Sequence, residues 1–205
     1  MATKKHRPSL AAPWLAYTDL LSSTLMILTV AIVVSALAKL VNQKPPIIRL
    51  SDAADYRFST GSYLISPQFR KQLTSKQLPE IEKVIQCYGI DTIEVIGHTD
   101  SRPNPGGSNL DSFSQDKNKI VSAYVSSGSN ADLGLLRAIS VENLLRNSLN
   151  KKFQNLDFRS YSASSFVSPE NYVGSSNVNR DDQQAKRRIE VRFTRSEKAT
   201  SIPRC

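Results

Sequence analysis

At 205 residues, with 27 Lys+Arg against 18 Asp+Glu, the chain has a formal net charge of +9, and it holds only two histidines and two cysteines. Beyond any membrane segment that length leaves ~150 residues, the size of one compact domain. With His6 and His98 separated by a long apolar stretch, no metal set can be assembled, and nothing implies a cofactor or an enzyme.

The N-terminal segment runs from Pro8 to Ala38 with a single charge, Asp19. A membrane span needs about 20 apolar residues, and Leu20–Leu40 alone supplies them. The run is too long for a signal peptide, although Ser35-Ala36-Leu37-Ala38 imitates a cleavage site. Lys4, Lys5 and Arg7 precede the span with no acid among them, which predicts a cytoplasmic N-terminus for residues 1–10, a transmembrane helix over 11–41 and everything after it outside. An acid within such a span costs at least ~2.5–3.5 kcal/mol on insertion scales, so a proton or ion site facing a partner is its default reading. Helical spacing puts Ser22, Ser23 and Met26 on the face of Asp19, and these are the expected channel-facing residues. The alternative is an Asp at the headgroup boundary that caps a helix starting at Leu20. Trp14 and Tyr17, which mark an interfacial belt before Asp19, favour the buried position.

Residues 42–55, with Pro45-Pro46, read as a short stiff linker. A strand is predicted over Tyr56–Ile65, then a helix from Pro67 to Gln86 that Pro79 splits or kinks and Gly89 ends. Thr92–Ile96 alternates as a strand, and a polar stretch, Ser101–Gly128, follows with a helix at Gln115–Ser126. Asp132–Leu149 is amphipathic, Phe158–Phe166 is a weak strand, Ser175–Asp182 a loop, Gln183–Arg187 a helical turn, and Ile189–Arg195 a clear alternating strand. That order predicts an α+β two-layer sandwich over residues 56–196, with 197–205 as a flexible tail. His98 reads as a packed, hydrogen-bonded strand residue, and Cys87 as a buried free thiol.

Pro13-Trp14-Leu15-Ala16-Tyr17-Thr18-Asp19, with its aliphatic continuation, resembles the transmembrane segment of MotB-type stator subunits. In that family the Asp of the Ala-Tyr-x-Asp motif is the proton acceptor of a channel built with MotA-type subunits. The resemblance therefore implies MotA-like partners (a pentameric ring), a homodimer of this chain and proton transfer on Asp19. Gly97-His98-Thr99-Asp100, the helix from Asn130 through Leu133 to Arg137-Ala138, and Arg187-Arg188-Ile189-Glu190-Val191 resemble, in order, three motifs of OmpA-like peptidoglycan-binding domains. The expected fold is thus one transmembrane helix followed by an OmpA-like β/α sandwich, in the inner membrane with its C-terminal domain in the periplasm. The expected peptidoglycan site is Asp100, Asn130, Leu133 and Arg137. Its chemistry is suitable: diaminopimelate carries an amine for an acid and a carboxylate for a guanidinium. Taken singly, Asp100 could instead be a turn residue and Arg137 a helix ion pair.

Departures from the family pattern are the 101–129 insertion, Gly134 in place of Ser, and Lys186 in place of Asn. A positive charge raises nucleic acid as a partner, but an extracytoplasmic domain argues against it and for an anionic wall polymer. Two function classes remain: a stator subunit that carries protons, and a passive membrane-to-wall anchor. Within the first, a flagellar subunit competes with a non-flagellar one such as the anti-phage Zorya stator. The short linker favours the latter, since it leaves no room for a plug helix.

Overall fold

The computed structural model describes residues 12–41, 45–52, 55–113, 119–120, 125–168 and 180–196. The chain divides into two compact units, residues 1–44 and 45–205. The first holds one helix, α1 (Ala12–Val41), whose stretch Ala16–Leu37 is long and apolar enough to cross a membrane. Thirty helical residues span about 45 Å, against ~30 Å of bilayer hydrocarbon. Because α1 begins at Ala12, Asp19 lies two turns inside it and is not the cap of a helix starting at Leu20.

The second unit is α+β. Strands β1 (Ile48–Ser51), β2 (Thr92–His98), β3 (Asp157–Ser164) and β4 (Arg188–Thr194) form one sheet in the order β1-β4-β2-β3. β4 runs antiparallel to both neighbours, while β2 and β3 are parallel. A parallel pair needs a crossover, and α4 (Asn130–Leu149) packs on both strands. The helix has its start fixed by Ser129, whose hydroxyl accepts from Asp132 N at 3.1 Å.

Period-two alternation turns Ile93 and Val95, Ile189, Val191 and Phe193, and Ile48 and Leu50 to one face. There they pack with Ala138, Val141, Leu145 and Leu149 of α4, and with Phe69, Leu73, Ile81 and Ile85 of the preceding helices. Each such side chain contributes roughly 1.5–3 kcal/mol when fully buried. Those preceding helices are α2 (Pro67–Gln72), a π-helical segment Leu73–Gln77 and α3 (Leu78–Tyr88). The split expected at Pro79 takes this form: Leu78 N donates to Leu73 O across the wider turn, and Pro79 then falls in the first turn of α3, where no donor is needed. Gly89 closes α3 with φ 62°.

Gly97 and Gly134 mark the closest approach of sheet and helix. A Cβ on Gly97 would lie 1.9 Å from Gly134 O, and one on Gly134 would lie 2.4 Å from Ser162 Oγ. This crowding explains why glycine stands at 134, where the resembled motif has serine.

Three expectations are corrected. The segment 42–55 is not wholly linker, because Ile48–Ser51 is the edge strand β1. Residues 56–65 are not a strand: Ser62 N turns back to Ser59 O at 3.0 Å and Gly61 takes φ 66°, although Tyr56 and Tyr63 are buried. Cys87 is disulfide-bonded, not free, and it is only half-buried near the open end of α3. The chain's other cysteine, Cys205, lies outside the described residues, as do residues 1–10, the tail 197–205 and most of the helix expected at 115–126. The helix expected at 183–187 is α5 (Arg180–Lys186), so residues 180–182 are helical where a loop was expected.

The β1 assignment makes a direct prediction. A fragment starting at Pro45 should melt cooperatively. One starting at Tyr56 loses the buried Ile48, Leu50 and Asp52 and should melt many degrees lower, or not fold, by circular dichroism. Equal melting of the two fragments would remove β1 from the core.

Candidate functional site

Two groups of residues need separate description, one in each unit. In α1 five hydroxyls are satisfied within the helix. Those of Thr18, Ser23, Thr24, Thr29 and Ser35 donate to the carbonyls of Trp14, Leu20, Leu21, Met26 and Ala31 at 2.7–3.0 Å. Asp19 differs, since no hydrogen bond or ion pair reaches its carboxylate among the described residues. It lines a shallow hollow with Ala16, Thr18 and Ser22. The continuous helix puts Asp19, Ser22, Ser23 and Met26 on one side, as the spacing predicts.

In the C-terminal unit the charged groups gather where β2 and β1 end and β4 begins. Asp100 lies two residues beyond β2 and is buried. Arg187 lies just before β4 and bridges two carboxylates. Its Nη1 donates to Asp100 Oδ2 at 2.9 Å, while Nε and Nη2 donate to Asp52 Oδ2 at 2.9 and 2.7 Å. The backbone closes the same link, with Asp52 N donating to Arg187 O at 3.2 Å. Arg102 adds a second cation to Asp100, with Nε and Nη2 each 2.8 Å from Oδ2.

Arg137 enters from α4, almost fully buried. Its Nε donates to Ser62 O at 2.9 Å and Nη2 to Ser59 O at 3.4 Å, and its guanidinium lies 5.0 Å from the centre of the Phe58 ring. It shares a narrow cleft with Leu50, Asp52, Tyr56, Phe58, His98, Arg187, Arg188 and Ile189. Burial first, and the neighbouring Arg187, lower the Arg137 pKa to about 10 against the attraction of Asp52 and Asp100. The expected acid and guanidinium are therefore electrostatically coupled around this cleft. The cations that line it, Arg137, Arg187 and Arg188, outnumber its one lining carboxylate, Asp52, which favours an anionic group on a ligand.

Asn130 has a supporting role. Its side-chain amide donates to Asp100 O at 3.2 Å and Arg102 O at 2.8 Å, holding the loop that carries both charges. Leu133 is buried one turn further along α4. His98 is packed as expected but lacks the expected bonds. Neither ring nitrogen has a hydrogen-bond partner among the described residues, and Glu190 Oε1 is 3.5 Å from Nε2. The sequence reading missed Asp52, Arg102 and Arg187 as members of the cleft. Arg187 was visible as part of the closing motif but not as a partner of Asp100, and Asp52 fell in the supposed linker.

No protein-family model matches the chain, and no curated protein matches it by sequence. Among solved structures it is similar to the periplasmic domain of MotB, at 17% identity over 75% of this chain and 65% of that one, with a TM-score of 0.47. It is similar also to the periplasmic domain of Helicobacter pylori MotB, at 20% identity over 74% and 77% of the two chains, TM-score 0.45. A third is the cell wall anchor of the T6SS from Pseudomonas aeruginosa, at 19% identity over 73% and 81%, TM-score 0.44. The roles assigned to the cleft residues rest on the geometry above.

The buried acids set a pH limit. Burial raises the Asp100 pKa, but the bonds from Arg102 and Arg187 outweigh it and hold the carboxyl below its usual value. Glu190 is also held well below it, by His98 first and by Arg192 and Arg188 against burial. A depressed folded-state pKa stabilises above the unfolded value of ~4, and the contribution is lost as pH falls through the folded value. The melting temperature of the full chain in detergent should therefore drop steeply below about pH 4. The doubly substituted Asp100→Asn/Glu190→Gln chain should start lower and show a shallower drop. An equally steep drop would mean that other groups carry the acid sensitivity.

Proposed function

We propose that this chain is the wall-anchored subunit of a MotA/MotB-type proton-driven stator. In this reading α1 spans the inner membrane with its N-terminus in the cytoplasm, and Asp19 carries protons along the contact with a ring of five MotA-like subunits. Two copies of the chain enter each complex, and their C-terminal domains hold peptidoglycan through Asp100, Asn130, Leu133 and Arg137.

The observation that carries this reading is the isolation of Asp19. Five hydroxyls on α1 are satisfied by its own backbone, whereas the one carboxylate has no partner among the described residues. In a bilayer such a group is expensive unless another protein or a water-filled path faces it. A passive tether gives no reason to keep it. A group that must be met by a partner and can take up a proton there suits a channel shared with a second protein.

Orientation is supported by Lys4, Lys5 and Arg7 before the span and by the disulfide at Cys87, a bond that persists in oxidising compartments. The non-flagellar kind of stator, with an anti-phage role, is supported by the short connection. Val41 ends α1 and Ile48 begins β1, so residues 42–47 reach only about 20 Å when extended. That is too short for a plug helix. It also keeps two copies of the domain within reach of each other at an effective concentration of order millimolar, which favours a dimer. For the wall, Asp100 suits the ammonium of diaminopimelate and Arg137 its carboxylate.

In cells, Asp19→Asn should abolish the phage protection, or the motility, that depends on the wild-type chain. Insertion and co-purification with the MotA-like partner should persist, and Asp19→Glu should keep part of the activity. Full activity of Asp19→Asn would end the proton-carrier reading. The full-length protein in detergent should pellet with peptidoglycan sacculi, and Asp100→Ala or Arg137→Ala should weaken this about tenfold or more. Unchanged pelleting by both folded variants would exclude the cleft as the wall site.

A further inference from the structure

The insertion at 101–129 begins with a residue that already occupies the candidate site. Arg102 places Nε and Nη2 each 2.8 Å from Asp100 Oδ2, and its backbone N lies 3.2 Å from Oδ1. The same Oδ2 receives Arg187 at 2.9 Å. These two arginines are not equivalent. The Arg187 side chain is 23% exposed and doubly bonded to the buried Asp52. The Arg102 side chain is 62% exposed, and among the described residues its guanidinium bonds Asp100 alone. Arg187 is part of the frame, whereas Arg102 can be displaced from it.

The backbone beneath Arg102 is fixed while its side chain is free to swing. Asn130 holds the carbonyls of Asp100 and Arg102. Further along, Asn104 Nδ2 donates to Ser127 Oγ at 2.8 Å and to Ser129 O at 3.2 Å, tying the first part of the insertion to its end. Ile120 and Val125 pack with Tyr63, Leu136 and Ile139 in a second small core, with Leu110 and Phe113 against it. The insertion is thus built into the domain and keeps Arg102 within reach of Asp100.

Resting on the peptidoglycan reading of Asp100 and Arg137, we propose that Arg102 is a self-ligand of the site. It holds the place on Asp100 that the ammonium of a wall peptide would take, and it must leave before that ammonium can bind. The two cations compete for one carboxylate, whose Oδ2 already carries Arg102 and Arg187 and whose Oδ1 receives the backbone N of Arg102. The other pole is closed in the same sense, since the Arg137 guanidinium is satisfied by the carbonyls of Ser59 and Ser62 under the Phe58 ring. Apparent affinity falls by the fraction of time a site is competent, so a self-liganded Asp100 gives a weak resting grip. Swinging the Arg102 side chain off Asp100 would strengthen it.

The test uses the full-length chain in detergent, with purified diaminopimelate-containing sacculi in a pelleting titration and free meso-diaminopimelate by calorimetry. Removing an exposed ion pair that competes with the ligand should tighten binding of Arg102→Gln by about three- to fivefold. Arg102→Lys, a point charge without the fork, should shift in the same direction by less. The gain should vanish in the Asp100→Asn background. Circular dichroism confirms that each variant is folded, and if Arg102→Gln is not, Arg102→Lys carries the sign of the test. Unchanged or weaker binding by folded Arg102 variants, with Asp100→Asn still weaker than wild type, would overturn the self-ligand and leave the wall site standing. Binding that is indifferent to Asp100→Asn and Arg137→Ala would overturn the wall site, and the self-ligand with it.

Discussion

Arg187 divides its guanidinium between Asp52 and Asp100, and the geometry of the cleft depends on that division. Asp52 follows β1, the first strand after the apolar helix, while Asp100 lies two residues beyond β2. Both acids are buried, and a buried carboxylate without a partner is costly. Arg187 satisfies the two together and so fixes the distance between the ends of β1 and β2. Arg102 and Arg137 then take their positions around an acid that is already held in place. Loss of Arg187 would leave two buried anions facing each other's neighbourhood, and the loop carrying Asp100 would have to open to water.

In the proposed function, this arrangement links the membrane-spanning helix to the wall-binding cleft. β1 is the element that receives any pull from residues 42–47, and it is an edge strand paired only with β4. Its hold on the sheet comes from Ile48 and Leu50 in the core and from Asp52 on Arg187. A load along the chain therefore reaches the loop carrying Asp100 through the β1-β4-β2 ladder and, most directly, through Arg187. In the proposed stator, torque generated around Asp19 would be resisted along this path.

Much of the fold was legible because strong local patterns carried it. Ile93-Glu94-Val95-Ile96 and Ile189-Glu190-Val191-Arg192-Phe193 alternate cleanly, and the helix ending at Leu149 shows its apolar face in sequence. β1 was missed because Ile48–Ser51 has four residues and follows Pro45-Pro46, which read as linker. Tyr56–Ile65 was misread because its spaced aromatics imitate a strand, while their burial comes from packing under α2 and against the insertion. The acid, the amide and the guanidinium at 100, 130 and 137 stood in recognisable motifs. Arg187 stood in one too, but its pairing with Asp52 did not show, since a partner 135 positions away leaves no local signature. Arg102 stood in the polar insertion with no motif of its own, and only the folded chain returns it to Asp100.

The most direct measurement is the response of wall binding to Asp52, which is tied to Asp100 only through Arg187. Asp52→Asn in the full-length chain keeps the shape of the side chain but frees the guanidinium from its anchor. The account predicts weaker pelleting with sacculi, and no further loss when Asp52→Asn is added to a chain already carrying Arg187→Lys, because Asp52 reaches Asp100 only through Arg187. Wild-type binding by a folded Asp52→Asn chain, or losses that simply add, would contradict it.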